Sequence, residues 1–258
     1  MTKGTVLITG ASSGIGEALA RHFAGKGFDL IITARRTANL EQLASELKTK
    51  VNVQVVSCDL ADPNGVSNLL QDIDAESVDV LVNNAGIAYP GKFHDQDYDD
   101  IYNLLSLNIM ALTKLTNAVL PLMVKRGSGK VLNVASVASF QPVPSLSVYA
   151  ASKAFVLSLT ESLSEELKGT GVSVTALCPG LTDTDLVDDM QARNVPPFLM
   201  SSVKGVAKEG FDALMNREVI RIPGLTNQAA VTWAKHQPRW LVRGLGGLFA
   251  QFNSKNPS

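Results

Sequence analysis

Two residues in this chain have the types and spacing to move a proton: Tyr149 and Lys153, four apart in Tyr149-Ala150-Ala151-Ser152-Lys153. On a helix that spacing puts both side chains on one face, one turn apart. A phenol with a pKa of roughly 10 is a poor acid or base at neutral pH, and an adjacent ammonium favours its phenolate form. The pair is a candidate proton-transfer couple with a lowered tyrosine pKa. The same pentapeptide also fits a solvated helix face, because Tyr and Lys sit four apart on many surface helices. The elements around it decide between these readings.

The pair opens a helical pattern that continues to Leu167. Ahead of it, short apolar strands alternate with helices. Residues 5–9 read as a β-branched strand, followed by Gly10-Ala11-Ser12-Ser13-Gly14-Ile15-Gly16 and a helical pattern of Ile15, Leu19, Ala20 and Phe23. In the order strand, glycine turn, helix, such a run is a candidate phosphate site, since glycines let backbone N–H groups approach an anion at a helix N-terminus. A plain strand-to-helix turn is the alternative.

Residues 29–33 form the second strand pattern, ending in Ala34-Arg35-Arg36. Dinucleotide sites that take NAD place an acid near this point, to bind the ribose 2′-OH. Here two arginines follow an alanine, and guanidinium groups suit a 2′-phosphate. Exposed loop charges are the competing reading. Strands are also expected at residues 53–56, 79–82, 130–135, 172–177 and 218–222. Asp62-Pro63 is expected to start a helix, and residues 97–126 read as one long helix with Asn108 in its middle. A buried amide there needs partners, and a core Asn bonded to backbone fits as well as a functional one.

Regular alternation predicts an α/β, doubly wound parallel sheet of about seven strands, with helices on both faces. Ligands of such sheets lie beyond the carboxyl ends of the strands, where Gly10, Arg35, Asp59 and Asn83 fall. A single domain is expected over residues 1–258, with a substrate lid over residues 185–216 and a helical extension over residues 225–258. The chain has 258 residues, 45% apolar and 18% charged, with net charge −1. That charge offers no strong field for nucleic acid or an anionic membrane. With neither a secretory leader nor a run of ~20 apolar residues, a soluble cytoplasmic protein is expected. Cys58 and Cys178 read as reduced thiols at strand ends. No Cys or His pair has metal-ligand spacing, and the three histidines lack nucleophile-elbow context, so a hydrolase is not expected.

Together, residues 9–16 (TGASSGIG), residues 83–86 (NNAG), Asn108, Ser136, Tyr149-x-x-x-Lys153 and Pro179-Gly180 closely resemble the short-chain dehydrogenase/reductase family, over about residues 4–222. The later part resembles a bacterial branch of mixed substrate specificity. The resemblance implies a Rossmann fold and a catalytic set of Asn108, Ser136, Tyr149 and Lys153. Tyr149 would exchange the proton at the substrate oxygen. Lys153 would lower its pKa and hold the nicotinamide ribose. Ser136 would hydrogen-bond the carbonyl or alcohol, and Asn108 would hold a water-linked proton path to Lys153.

It further implies cofactor contacts at Gly10, Ser12, Ser13, Gly14, Ile15 and Gly16 for the pyrophosphate, and at Arg35 and Arg36 for a 2′-phosphate. Asp59 and Leu60 would border the adenine, with Asn83, Ala85 and Gly86 on the adenosine side and central strand. Pro179, Gly180, Thr182 and Thr184 would meet the nicotinamide. Many NADP-preferring members carry a basic residue inside the glycine turn where this chain has Ser13, so the preference rests on Arg35 and Arg36.

The expected function is an NADP(H)-dependent oxidoreductase acting on a small carbonyl or alcohol. An NADP-binding redox sensor or structural protein without turnover is the alternative, which would have no need of the catalytic set. A homo-oligomer is expected, through Leu112, Leu115 and Val119 on one helix and Phe155, Leu159 and Leu163 on the next. A helical face over residues 238–252 is expected to pack on protein rather than membrane.

Overall fold

In this computed structural model, residues 2–183, 200–238, 240–241 and 243–244 are described. The strands are β1 (Thr5–Thr9), β2 (Asp29–Ala34), β3 (Val53–Ser57), β4 (Val78–Asn83), β5 (Gly129–Val134), β6 (Val172–Leu177) and β7 (Ile220–Arg221). They form one parallel sheet in the order β3-β2-β1-β4-β5-β6-β7. The doubly wound α/β architecture is therefore present. The chain builds outward from β1 to β3, then returns to lay β4 on the other side of β1. That reversal opens a crevice at the carboxyl ends of β1 and β4.

Both faces of the sheet are covered, which is why its central strands are runs of Val, Ile and Leu rather than alternating patterns. On one face lie α1 (Gly14–Gly25), α2 (Thr37–Leu47) and α7 (Val203–Met215). Their buried side chains, among them Leu19, Phe23, Leu40, Phe211 and Leu214, meet Ile8, Ile32 and Val82. Phe23 and Phe211 stack edge to face with centroids 5.0 Å apart. On the other face, α3 (Gly65–Asp72), α5 (Leu112–Arg126) and α6 (Ser147–Glu166) cover Leu7, Leu81, Val131 and Val174. Each such apolar side chain taken from water contributes roughly 1.5–3 kcal/mol.

The helix expected over residues 97–126 has three parts. It starts as α4 (Tyr98–Leu105), capped by the Asp97 carboxylate accepting from the Asp99 N–H. It widens into a π-helical turn at Ser106–Ala111 and resumes as α5. A π turn accommodates an extra residue and often marks a functional site. This one carries Asn108, which is 1% exposed. Tyr98–Arg126 is long and apolar enough to cross a membrane by length and composition. Its inner residues Leu107, Ala111, Leu115, Val119 and Met123 are instead spent on the sheet.

Other expectations shift. The third helix starts at Gly65, not at Asp62-Pro63; the Asp62 carboxylate accepts from the Asn64 N–H in a turn that precedes it. Within the expected lid, Val203–Met215 is α7, a core helix whose Val206, Ala207 and Leu214 are buried; Thr184 and residues 185–199 lie outside the described residues. Leu112, Leu115 and Val119 are buried in the chain's own core. The exposed apolar side chains on those elements are Tyr98, Tyr102, Leu105, Met110, Val124 and Phe155. The C-terminal extension opens with α8 (Leu225–Lys235). Most of the helix expected over residues 238–252 is outside the described residues.

Candidate active site

The first loop beyond the sheet is the glycine turn. Gly10 has φ +66, and a methyl at Gly16 would lie 2.2 Å from the Gly10 carbonyl oxygen. Turn and helix thus approach more closely than any side chain allows. Ser13 is the N-cap of α1 but makes no side-chain capping bond, so it does not occupy the helix's first N–H groups. Ile15 is half-buried against the core and holds α1 in place.

Arg36 lies across this turn. Its Nε donates to Ser12 Oγ at 3.2 Å, and its terminal nitrogen donates to Ser13 Oγ. Arg35 extends over the next strand end, 3.9 Å from the Asp59 carboxylate. Leu60 is buried beneath, at 6% exposure.

At the reversal, the Thr9 hydroxyl accepts from the Asn84 and Ala85 N–H groups at 2.9 and 3.0 Å. The Asn84 amide donates back to the Thr9 and Gly10 carbonyls. The Asn83 side chain points the other way. Its amide donates to Thr116 Oγ1 and Asn133 Oδ1, and Asn133 donates to Thr160 Oγ1, all at 2.9 Å. This buried amide chain ties α5, β4, β5 and α6 together. A methyl at Gly86 would come within 3.3 Å of both Asn108 Oδ1 and Lys153 Nζ.

The four expected catalytic residues converge. Ser136 lies two residues past β5 and caps the turn Val137–Phe140; its hydroxyl accepts from the Ala138 N–H and faces the Tyr149 phenol. Lys153 Nζ lies 5.8 Å from the Tyr149 ring centroid and donates to the Val134 carbonyl at 2.8 Å. Asn108 clasps Ile87, accepting from its N–H and donating to its carbonyl, both at 2.9 Å. At the end of β6, the Pro179 carbonyl accepts from the Val137 N–H, which joins two loops of the site. Gly180 presses on Asn227 of α8, and buried Thr182 donates to the Gly180 carbonyl.

The electrostatics differ from the sequence expectation. Burial pushes Tyr149 up to about 12, partly offset by the nearby Ser136 hydroxyl. Burial lowers Lys153 to about 8. In the protein alone, dehydration sets the direction for both groups.

Residues 4–194 match the family model for short chain dehydrogenase. The chain belongs to the short-chain dehydrogenase family. Sulfoacetaldehyde reductase 2 of Chromohalobacter salexigens is 42% identical over 184 residues, covering 70% of this chain and 73% of that protein. A short-chain dehydrogenase from Sphingobium yanoikuyae, solved in complex with NADPH, is 36% identical with a TM-score of 0.82, covering 90% of this chain and 93% of that one. The bulky-bulky ketone specific alcohol dehydrogenase from Comamonas testosteroni is 31% identical with a TM-score of 0.79, covering 93% and 96%.

The site also holds buried residues that sequence reasoning missed. Ser152 is fully buried; it accepts from Asn108 and donates to the Tyr149 carbonyl at 2.7 Å. Ser139 donates to the Lys153 carbonyl at 2.9 Å and accepts from the Ser136 N–H. A serine inside a motif of small residues has no periodicity to single it out. The available signal was position: Ser152 lies between Tyr149 and Lys153, and Ser139 is three residues from Ser136.

Proposed function

We propose that this chain is an NADP(H)-dependent oxidoreductase that interconverts a carbonyl and an alcohol, with Tyr149 as general acid and base. The observation that carries the reading is the convergence of Ser136, Tyr149, Lys153 and Asn108 in one buried set, with Lys153 Nζ 5.8 Å from the Tyr149 ring and Asn108 linked to the Tyr149 carbonyl through Ser152. A dinucleotide fits the residues present: the glycine turn and the N-terminus of α1 suit its phosphates, and Arg36 beside Ser12 and Ser13 suits a 2′-phosphate. Ala34 leaves no acid to bind a 2′-OH. When bound, the nicotinamide supplies or takes the hydride.

The protein's own work is at the oxygen. The Ser136 hydroxyl and the Tyr149 phenol polarise a carbonyl placed between them. As the carbon is reduced, the Tyr149 proton passes to the oxygen, and the Lys153 ammonium favours the phenolate left behind. Oxidation runs the same path in reverse. With its pKa near 12, Tyr149 holds its proton at neutral pH and is ready to donate it. We extend the proposal to a cytoplasmic location and to a homo-oligomer, the latter supported by the exposed Met110 and Phe155 on adjoining elements. The test is NADPH consumption by the purified full chain against a panel of carbonyl compounds. No consumption with any member would overturn the reading.

A further inference from the structure

The walls beside Tyr149 carry a consistent chemistry. Tyr149 packs with buried Ala88, Leu104 and Ala138, and half-buried Tyr89, Val143 and Leu146 adjoin them. Apart from Leu104 of α4, these come from two segments, residues 84–91 after β4 and residues 137–148 between β5 and α6. Neither segment contains an Asp, Glu, Lys, Arg or His. The two are joined, the Gly91 N–H donating to the Ser145 carbonyl at 2.9 Å. Tyr89 is fixed in turn, its hydroxyl accepting from Asn103 and its carbonyl from Gln96. The wall is thus preformed and uncharged.

The described cations near it are engaged or outside. Lys153 donates to Val134, and Lys235 sits 4.5 Å over the ring of Phe140, which packs with a separate apolar cluster. Lys92 and His94 stand exposed in the turn beyond Gly91. An anionic group brought against this wall would lose its water without gaining a counter-charge, whereas an apolar group would gain burial.

We propose that the substrate is a neutral carbonyl compound with an apolar substituent seated against Tyr89, Val143 and Leu146, not a small anionic aldehyde of the kind named for the 42%-identical relative. This rests on the carbonyl-reductase reading above and specifies its substrate class. The experiment uses size-matched pairs with NADPH: acetophenone against 4-acetylbenzoate and 4-acetylbenzenesulfonate, with sulfoacetaldehyde added. The neutral member should be favoured by at least about 100-fold in kcat/KM, the scale expected when a charge is left unpaired in an apolar pocket. Val143→Arg or Leu146→Lys, each folded by circular dichroism, should narrow that ratio at least tenfold. Equal or greater kcat/KM for the anionic members would overturn this inference and leave the reductase reading standing. A wild-type preference unchanged in both variants would also overturn it, because the wall would not be its source. Absence of turnover for every member, with NADPH and NADH alike, would instead overturn the reductase reading itself, and the inference with it.

Discussion

Asn108 Nδ2 donates to Ser152 Oγ at 3.1 Å, joining the π turn to the helix that carries Tyr149 and Lys153. Ser152 passes the connection on to the Tyr149 carbonyl. The widened turn, the loop at Ile87 and the catalytic helix are therefore held as one body. Both side chains are buried, so breaking the link leaves polar groups without partners.

Ser152→Ala should cost about 1–3 kcal/mol of stability, the range for an unpaired buried polar group. A drop in kcat should accompany it, with little change in cofactor KM, because the displaced group is Tyr149 and not the glycine turn. Thermal melting and steady-state kinetics check both. Unchanged kcat would mean that the link is structural only.

Arg35→Ala with Arg36→Ala should reduce NADPH kcat/KM by about 10²–10⁴-fold, since charge-assisted bonds to phosphate are worth roughly 1.5–3 kcal/mol each. NADH kcat/KM should stay within a few-fold. Parallel assays with the two cofactors measure the ratio, and a wild type indifferent to the cofactor would contradict the assignment.

Lys153 gives a pH signature to the cofactor-free protein. Its folded pKa of about 8 lies below the ordinary 10.5. Between those values the unfolded chain binds the proton and the folded chain does not, so stability rises with pH. Cys178 and Tyr149, both raised to about 12 from 9.0 and 10.0, act in the opposite direction from pH 9 upward. The clean window is pH 8 to 9. There the wild type should gain Tm relative to Lys153→Met, on a scale of about 2–4 °C per kcal/mol for a domain of this size. Parallel Tm curves for the two proteins would refute this.

Met110→Glu with Phe155→Glu should convert an oligomer to monomers at micromolar concentration, because charge placed in a desolvated apolar contact is costly. Light scattering reads the mass. A monomeric wild type would count against the assembly.

The sheet was legible in the sequence because its central strands are apolar runs bounded by turn residues. β1 and β6 have the expected bounds, and β7 is shorter than expected. The motif residues were legible through their order along the chain. The π turn was not, since one added residue hardly disturbs the apolar periodicity of residues 97–126; the only trace was Asn108, a poor helix former, in its middle. The inward turn of Asn83 was also hidden, because neighbouring amides in a strand end look alike until the sheet assigns alternate faces. Leu112, Leu115 and Val119 illustrate a third limit: helical spacing identifies an apolar stripe without telling core from interface.

The most direct measurement is kcat for Tyr149→Phe beside its NADPH affinity. The phenyl ring keeps the packing against Ala88, Leu104 and Ala138. Only the phenol hydroxyl and its proton are lost. The account predicts a fall in kcat of at least about 10²–10⁴-fold, the usual worth of a positioned acid or base, with NADPH binding by titration within a few-fold of wild type. Turnover near the wild-type rate in that variant would contradict it.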